Sequence, residues 1–274
     1  MFFDLDKLDV DIKGHRYFAS GMEISYNGED YYYKTHKSLN SIYNEILAKK
    51  IADRIGVPCC EYYLGSYNEE LGSVSKMFSK KNYHSMSSLL QSVYGLAQNR
   101  NNLEDINSIF DNYYSVEIAE RLKKELVNIF LFDALIGNCD RNSDNYGLIL
   151  DGNPRFAPLF DNENMLYDYA IYDGDYSLGI SGKDKGNMLY KLLDENEYAK
   201  ERLEETLYVI DEEILEEIFK ELNNEYEINS YIKEIILDRF RINREMITKY
   251  FKDKEKAPEY KLTNNFLNIR ESSY

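Results

Sequence analysis

The distribution of apolar residues divides the chain into a β-prone beginning and a mainly helical remainder. Between residues 15 and 78, the runs "MEISYNGEDYYYK", "CCEYYLGSY" and "GSVSKMFS" are β-prone and surround one amphipathic stretch, "SLNSIYNEILAKKIADRIG". Asn27-Gly28 is a strong signal for a hairpin turn. Gly56 and Pro58 after the amphipathic stretch are typical of a helix end. The pattern therefore predicts the element order β-β-α-β-β.

One hairpin interrupts the helical periodicity that begins near residue 85. In the stretch 146–160, "YGLIL" and "RFAPLF" flank "DGNP", and this Asp-Gly pair and proline predict a turn between two strands. The polar stretch 98–115 predicts a loop or a short helix.

A largely apolar helix leads into a polar cluster just before this hairpin. The helix is predicted to begin near Ser115, and from Leu126 onward nearly its whole circumference is apolar, which is typical of a helix that enters a core. Gly137 is a suitable helix end. The segment that follows, "GNCDRNSDNYG", contains two aspartates, three asparagines and one arginine. Packing of the helix therefore determines where these polar side chains lie.

Composition indicates a packed globular protein rather than a disordered or fibrous chain. Of the 274 residues, 43% are hydrophobic and 30% are charged. The net charge of -16 opposes a broad phosphate-neutralising surface, so we expect no direct binding to nucleic acid. It also disfavours an anionic membrane surface, and the chain has no run of 18 apolar residues that could span a bilayer. Much of the acid lies in 194–238, where interleaved apolar residues predict amphipathic helices with solvated outer faces.

The cysteines and the N-terminal segment indicate a cytoplasmic protein. Cys59 and Cys60 are adjacent and Cys139 is distant, so their spacing fits neither a disulfide framework nor a zinc site. The start, "MFFDLDKLDVDIKGHR", lacks the basic and apolar regions of a secretory signal.

Hairpin geometry predicts a cluster of oxygen donors. Each arm holds about five residues at roughly 3.3 Å apiece, so the start of one arm lies beside the end of the other. Asn145 and Asp161 should therefore be neighbours. Together with Asp140, their side chains form a hard oxygen-donor site suited to Mg²⁺, which takes few protein ligands and keeps waters or phosphate oxygens.

Two other interpretations of the same segment stay open. "DRNSDNYGLILD" resembles a calcium-binding loop with oxygen donors at Asp140, Asn142 and Asp144. Its sixth position is Asn145 where such loops have glycine, and its twelfth is Asp151 where they have glutamate. The cluster could also serve only to satisfy local backbone groups.

Two charged residues in the β-prone part are candidates for a binding site. Lys34 ends the strand "YYYK", and Glu45 shares a helix stripe with Ala48 and Ala52. Both could equally be solvated surface charges, with Glu45 paired to Lys49.

The order of these parts resembles the protein-kinase fold, in which a strand lysine, a helix glutamate, a loop acid with a later asparagine, and an acid after a hairpin follow each other. "GNCDRNSDNYG" followed by "APLFDNENML" is similar to the HipA-like serine/threonine kinases, as is the upstream "YYYKT…YNEILAKKIADRIGVPCCEYYLG". The resemblance spans about residues 15–170. It implies an α+β fold of two lobes, with a small β-rich N-terminal lobe at 1–80 that contains one key helix, and a larger, mainly helical C-terminal lobe at 81–274.

The resemblance also implies roles for the candidate residues. Asp140 would orient the acceptor hydroxyl and accept its proton, while Asn145 and Asp161 would hold Mg²⁺ on the phosphates of ATP. Lys34 would contact the α and β phosphates and pair with Glu45.

One detail of the motif has an open register, and another differs from the family. Ser20 and Gly21 look similar to the family's serine and glycine loop before the lysine strand, and the register of this phosphate loop stays open. The family's usual loop histidine is Asn142 here, which we expect to be tolerated because that residue mainly supports the loop.

The predicted function is ATP- and Mg²⁺-dependent phosphoryl transfer to serine or threonine hydroxyls of a protein, and autophosphorylation stays open. The alternatives are a pseudokinase that acts as a binding module, and a kinase for a lipid or small-molecule hydroxyl. Family toxins also have an N-terminal subdomain that contacts a DNA-binding antitoxin. The present sequence starts almost at the lysine-bearing lobe, which counts against an antitoxin partner.

Overall fold

The structure is a computed structural model that describes residues 2–15, 21–36, 38–78, 82–95, 103–138, 141–165, 196–226 and 230–253. The strands are β1 Phe2–Asp4, β2 Asp11–His15, β3 Gly21–Tyr26, β4 Glu29–Thr35, β5 Tyr62–Tyr67, β6 Glu70–Lys76, β7 Tyr83–Ser85, β8 Gly147–Ile149 and β9 Arg155–Phe156. The helices are α1 Leu39–Ile55, α2 Met86–Tyr94, α3 Leu103–Tyr113, α4 Val116–Leu135, α5 Glu197–Val209, α6 Glu212–Tyr226 and α7 Ser230–Asp253.

The N-terminal part forms a six-stranded sheet in the order β1-β5-β6-β4-β3-β2. β1 and β5 are parallel, and the other neighbours are antiparallel. The β3–β4 turn has φ angles of 52° at Asn27 and 80° at Gly28, and two consecutive positive φ angles are what a type I′ hairpin turn requires. The predicted hairpin and the β-β-α-β-β order are therefore confirmed, and β1 and β2 extend the sheet at its two edges.

Helix α1 is packed into the helical part of the molecule as well as against the sheet. The Ser38 side chain caps its first turn by accepting from the N–H of Ser41, and Gly56 ends it with a φ of 71°, as the sequence predicted. The buried apolar residues of α1 belong to one large apolar cluster that also contains buried residues of α4, α5 and α6. A second, smaller cluster lies on the sheet and consists of Phe3, Leu5, Met22, Ile24, Tyr33 and Val74.

The central helices lead toward the predicted polar cluster. The polar stretch that allowed a loop or a short helix contains α3, because Ile106, Ile109 and Phe110 form one buried stripe. α4 begins after Ser115, whose side chain accepts from the N–H of Ile118, and is followed by Gly137 with a φ of 59°. The buried helix before the cluster is thus confirmed.

The predicted hairpin is also present, as β8 and β9 of a three-stranded sheet with the order β7-β8-β9. Its arms are shorter than the expected five residues, with three residues in β8 and two in β9. Leu148 lies opposite Phe156, so the two ends of the hairpin are brought together as predicted.

The acidic C-terminal segment forms the amphipathic helices that its pattern indicated. Acids lie on the outer faces, while α5 buries Leu203 and α6 buries Leu215, Ile218 and Leu222. Within the described ranges, every helix is too short or too polar to cross a bilayer. The predicted lobe boundary between residues 80 and 81 lies outside the described residues.

Candidate active site

The return strand of the hairpin runs beside the chain that leaves α1. The N–H of Leu159 donates to the carbonyl of Pro58, and the N–H of Cys60 donates to the carbonyl of Leu159, both at 2.9 Å. Cys59 and Cys60 are free and buried, and burial raises the pKa of Cys60 to about 12, so these thiols are structural. The two backbone bonds place Asp161 next to α1 and β5.

Asp161 lies at a turn whose backbone is bonded on both sides. It has a φ of 60°, an unusual conformation for a residue other than glycine, which tends to occur at functional sites. Its N–H donates to the Tyr62 hydroxyl at 3.1 Å. The N–H of Asn162 donates to Glu45 Oε2 at 2.9 Å. Residues from β5 and α1 therefore determine the direction of the Asp161 side chain.

Lys34 lies at the end of β4 and faces this turn. Its Nζ is 2.8 Å from Asp161 Oδ1 and 3.1 Å from Glu163 Oε2. Burial opposes the charge of Lys34, but the carboxylates of Asp161, Glu163 and Glu45 more than offset it and raise its pKa. The structure thus brings Lys34 and Asp161 into direct contact, although they are 127 residues apart in sequence.

Glu45 lies deeper than Lys34, with only 1% of its surface exposed. The alternative of a solvated surface charge is therefore wrong for this residue. In the described part of the chain, the ion pairs of Lys34 are with Asp161 and Glu163, so the direct pairing of Lys34 with Glu45 that the resemblance implied is not formed. The reason is that Glu45 is bonded instead to the Asn162 N–H and the Tyr62 hydroxyl.

Burial, together with the negative charge of Asp161, raises the pKa of Glu45 to about 8, against the opposing effects of the Asn162 N–H and Lys34. The folded protein therefore keeps a proton on Glu45 up to about pH 8, whereas an unfolded chain loses it near 4.5. Each rise in pH between these values weakens the folded state relative to the unfolded one.

We expect Glu45→Gln to gain stability relative to the wild type as the pH rises from 4.5 to 8. Glutamine cannot ionise, so the variant escapes a loss of about 4 kcal/mol across this window. Urea unfolding of both proteins at several pH values measures the difference. Glu61→Gln, which alters a half-exposed partner of Lys49, should show a pH dependence like that of the wild type. A difference in the free energy of unfolding between Glu45→Gln and the wild type that does not change with pH would contradict the raised pKa of Glu45.

Arg141 is fully buried, and its guanidinium bonds to several segments around the hairpin. Its Nε and Nη2 both donate to the Asp133 carboxylate, at 3.0 Å for the closest contact of each. Asn138 Nδ2 also donates to Asp133, at 3.1 Å. Asp133 is at the end of α4, so a buried ion pair ties the polar segment to the helix that precedes it.

The same guanidinium also holds both ends of the hairpin. Arg141 Nη1 donates to the carbonyl of Asn145 at 3.2 Å and to the carbonyl of Phe160 at 2.5 Å, and Nη2 donates to Asn162 Oδ1. Asn145 and the residue before Asp161 are therefore joined through one side chain, in agreement with the hairpin argument. The amide of Asn145 and the carboxylate of Asp161 offer hard oxygen donors, which fit Mg²⁺ better than a soft metal.

Two of the predicted site residues, Asp140 and Ser20, lie outside the described residues. Gly21 begins β3 directly opposite Lys34. A Cβ at Gly21 would come within 2.6 Å of the Tyr33 carbonyl oxygen, so this position requires glycine.

The two simpler interpretations of the polar segment have different outcomes. Asp151, the twelfth position of the possible calcium loop, forms an ion pair with Arg155 at 2.6 Å in the hairpin turn. Its carboxylate thus binds an arginine, which does not support the calcium-loop interpretation. Local satisfaction of backbone groups does occur, since Asn142 Oδ1 accepts from the N–H of Asp144. Part of the cluster is therefore structural.

Sequence reasoning did not single out several residues that the structure brings to the site. These are His36, Asp133, Arg141, Asn162 and Glu163. Asp133 had a readable signal, because it is the single charge in the apolar run "LVNIFLFDALI", and a buried charge requires a partner. His36 and Glu163 had no such signal, because their partners are distant in sequence.

The architecture as a whole is a two-lobed, protein-kinase-like α+β fold. It is similar to the crystal structure of a Helicobacter pylori proinflammatory kinase, CtkA, with a TM-score of 0.69 at 22% identity, covering 94% of this chain and 99% of that chain. The predicted fold class is thereby confirmed.

The chain belongs to the HipA-like C-terminal domain family, whose model matches residues 7–228. The resemblance noted in the sequence is therefore confirmed. Over 170 residues the chain is also 31% identical to the serine/threonine-protein kinase CtkA of Helicobacter pylori, a match that covers 56% of this chain and 52% of the relative. The matched part thus spans about half the length of this curated relative.

Proposed function

We propose that this protein catalyses ATP- and Mg²⁺-dependent phosphoryl transfer to serine or threonine hydroxyls of a protein. The observation that supports this most strongly is the contact of Lys34 with Asp161 across the two parts of the fold, 2.8 Å between Nζ and Oδ1. A cation beside an oxygen donor for a metal is the arrangement that binds phosphate groups and their metal together. Membership of the HipA-like family and the likeness to a serine/threonine-protein kinase support the same reaction.

Each residue has a definite task in this proposal. Lys34 binds phosphate oxygens of ATP, Asn145 and Asp161 hold Mg²⁺, and Asp140 orients the acceptor hydroxyl and accepts its proton. Bound Mg²⁺ would neutralise charge on the phosphates. Glu45 and Arg141 would contact neither the nucleotide nor the metal. Glu45 instead holds the segment that contains Asp161, and Arg141 holds the segment that contains Asn145.

The arrangement contributes mainly positioning and charge. Phosphoryl transfer through a loose transition state needs little covalent help from the protein, so rigid placement of a cation and of oxygen donors is most of what catalysis requires. The bonds from Tyr62 and Glu45 to the backbone at Asp161 and Asn162 provide such rigidity.

Incubation with ATP and Mg²⁺ is expected to add phosphoryl groups, about 80 Da each, to the protein itself or to a protein in a cell lysate. Intact-mass measurement and labelling with radioactive ATP detect the two cases. In parallel, Mg²⁺-ATP at a hundred times its dissociation constant should stabilise the folded protein by about 2.7 kcal/mol.

Other outcomes identify the alternatives. Stabilisation by ATP without any labelling of protein would indicate a binding module, and labelling of a lipid or metabolite alone would change the acceptor. Absence of both stabilisation and labelling would contradict the proposal. Asp161→Ala is the matched control, because it should remove the Mg²⁺-dependent part of the stabilisation.

A further inference from the structure

The Lys34 ammonium is shared by two carboxylates, and the second of them is part of a buried chain of polar contacts. Glu163 Oε2 is 3.1 Å from Lys34 Nζ and 2.7 Å from His36 Nδ1. His36 Nε2 is in turn 2.7 Å from Ser73 Oγ. The His36 side chain is 0% exposed and Ser73 is 2% exposed, so these two members of the chain are sheltered from water, whereas the Glu163 side chain is 27% exposed.

The strand register explains how these groups meet. Lys34 on β4 lies directly opposite Ser73 on β6, and His36 follows two residues after Lys34. An ionised carboxylate can only accept hydrogen bonds, so His36 Nδ1 must donate to Glu163, and the Ser73 hydroxyl completes the contacts of the ring. The imidazole is therefore held in one orientation by a residue of the sheet.

The backbone around Glu163 is also held. Asn44 Nδ2 donates to the carbonyl of Glu163 at 2.8 Å and to the carbonyl of Met165 at 3.0 Å. Asn44 precedes Glu45 on α1, so the helix anchors the main chain while His36 orients the side chain. The hydrogen bond from His36, with the charge of Lys34, outweighs burial and lowers the pKa of Glu163 to about 2.

Glu45 is placed differently from Glu163. Its carboxyl group is bonded to the Asn162 N–H at 2.9 Å and to the Tyr62 hydroxyl, both of which belong to the scaffold around Asp161. It thus acts on the turn that contains Asp161, whereas Glu163 acts on the lysine.

We propose that Glu163, oriented by His36 and Ser73, is the carboxylate that positions the Lys34 ammonium for phosphate binding in this protein. Glu163 is a positioning residue, as are His36 and Ser73, and Glu45 positions the Asp161 turn. Lys34 keeps a carboxylate partner in Glu163 even when Asp161 serves the metal. This inference rests on the proposed function, since phosphate binding is the task that the lysine is positioned for.

The first test requires no nucleotide. Lys34 is labelled with an amine-acylating reagent at one fixed pH, and the extent of its modification is measured by peptide mass spectrometry. Glu163→Gln removes one of the two ion pairs of Lys34, so labelling should become about threefold faster or more, the factor for half a pKa unit. The surface control Glu61→Gln should leave the labelling of Lys34 nearly unchanged, and Glu45→Gln should increase it less than Glu163→Gln does, because Glu45 acts on the lysine only through its charge and not through an ion pair.

Variants of His36 separate positioning from a general loss of structure. His36→Ala removes the donor to Glu163 and should increase labelling as Glu163→Gln does. His36→Asn places an amide donor near the position of Nδ1 and should restore part of the protection. Equal labelling in both His36 variants would contradict the orienting role of the ring.

The second test measures the affinity of the protein for a non-hydrolysable ATP analogue in the presence of Mg²⁺. Lys34→Met and Glu163→Gln should be strongly non-additive, because each removes the same interaction. Lys34→Met and Glu45→Gln should be nearly additive. If Glu163→Gln changes neither labelling nor affinity while Glu45→Gln changes both, Glu45 is the partner of the lysine and the inference is wrong. If the wild type binds no nucleotide, the proposed function fails, and labelling still decides the role of Glu163.

Discussion

Replacement of Asp140 by asparagine is expected to slow phosphoryl transfer by about a hundredfold or more, the usual effect of removing a general base. Asparagine keeps the shape and most of the hydrogen bonding of aspartate but does not accept the proton of the hydroxyl. Asn138 and Arg141, on either side of this position, are both bonded to buried Asp133, so we expect the surrounding chain to keep its conformation. Single-turnover phosphorylation measures the loss.

The affinity for Mg²⁺-ATP separates the two acids of the proposed site. Asp140→Asn should bind the nucleotide nearly as well as the wild type, because the metal and the phosphates are held by other residues. Asp161→Asn should lose Mg²⁺-dependent binding as well as transfer. Transfer at the wild-type rate in Asp140→Asn would show that another group accepts the proton.

Replacement of Arg141 by methionine is expected to destabilise the protein by about 3–5 kcal/mol, because it leaves the buried charge of Asp133 without its partner. Arg141 and Asp133 are 0% and 1% exposed at their side chains, so water cannot take over the lost contacts. The variant also removes the donor for the carbonyls of Asn145 and Phe160. Urea unfolding measures the change.

A matched surface pair and a double variant test this interpretation. Arg155→Met breaks the ion pair with Asp151, whose side chains are 46% and 33% exposed, and should cost no more than about 0.5–1 kcal/mol. Asp133→Leu combined with Arg141→Met should recover part of the stability, since no charge is then buried alone. It should not recover phosphoryl transfer, because the ends of the hairpin still lack their donor. A loss in Arg141→Met no larger than that in Arg155→Met would contradict the argument.

Local signals in the sequence predicted those parts of the fold that depend on near neighbours. Ser38 and Gly56 bound α1 because a hydroxyl and a left-handed glycine satisfy the helix ends. Asn27-Gly28 specified the β3–β4 turn because both residues tolerate the positive φ angles that this turn requires. The polar stretch that contains α3 was ambiguous, because its apolar stripe is short and its helix is stabilised by packing on α4.

Candidate residues could be proposed from the sequence, but the contacts between them could not. The resemblance indicated Lys34, Glu45 and Asp161, and the structure brings all three close together. Which carboxylate contacts the lysine depends on a segment more than a hundred residues later in the chain. That segment, 161–165, bonds to the first turns of α1, where Asn44 donates to the carbonyl of Glu163 and Glu45 accepts from the N–H of Asn162.

The sequence by itself determined the β-β-α-β-β core of the first sheet, the caps of α1 and α4, the hairpin turns and the family resemblance. These depend on interactions within a few residues or on a motif that can be read directly. Only the tertiary structure decided that Glu45 is buried, that Glu163 and His36 meet Lys34, and that Arg141 joins α4 to both ends of the hairpin. The physical reason is that burial and charge pairing depend on which distant segments share the same low-dielectric space, and a local pattern contains no information about that.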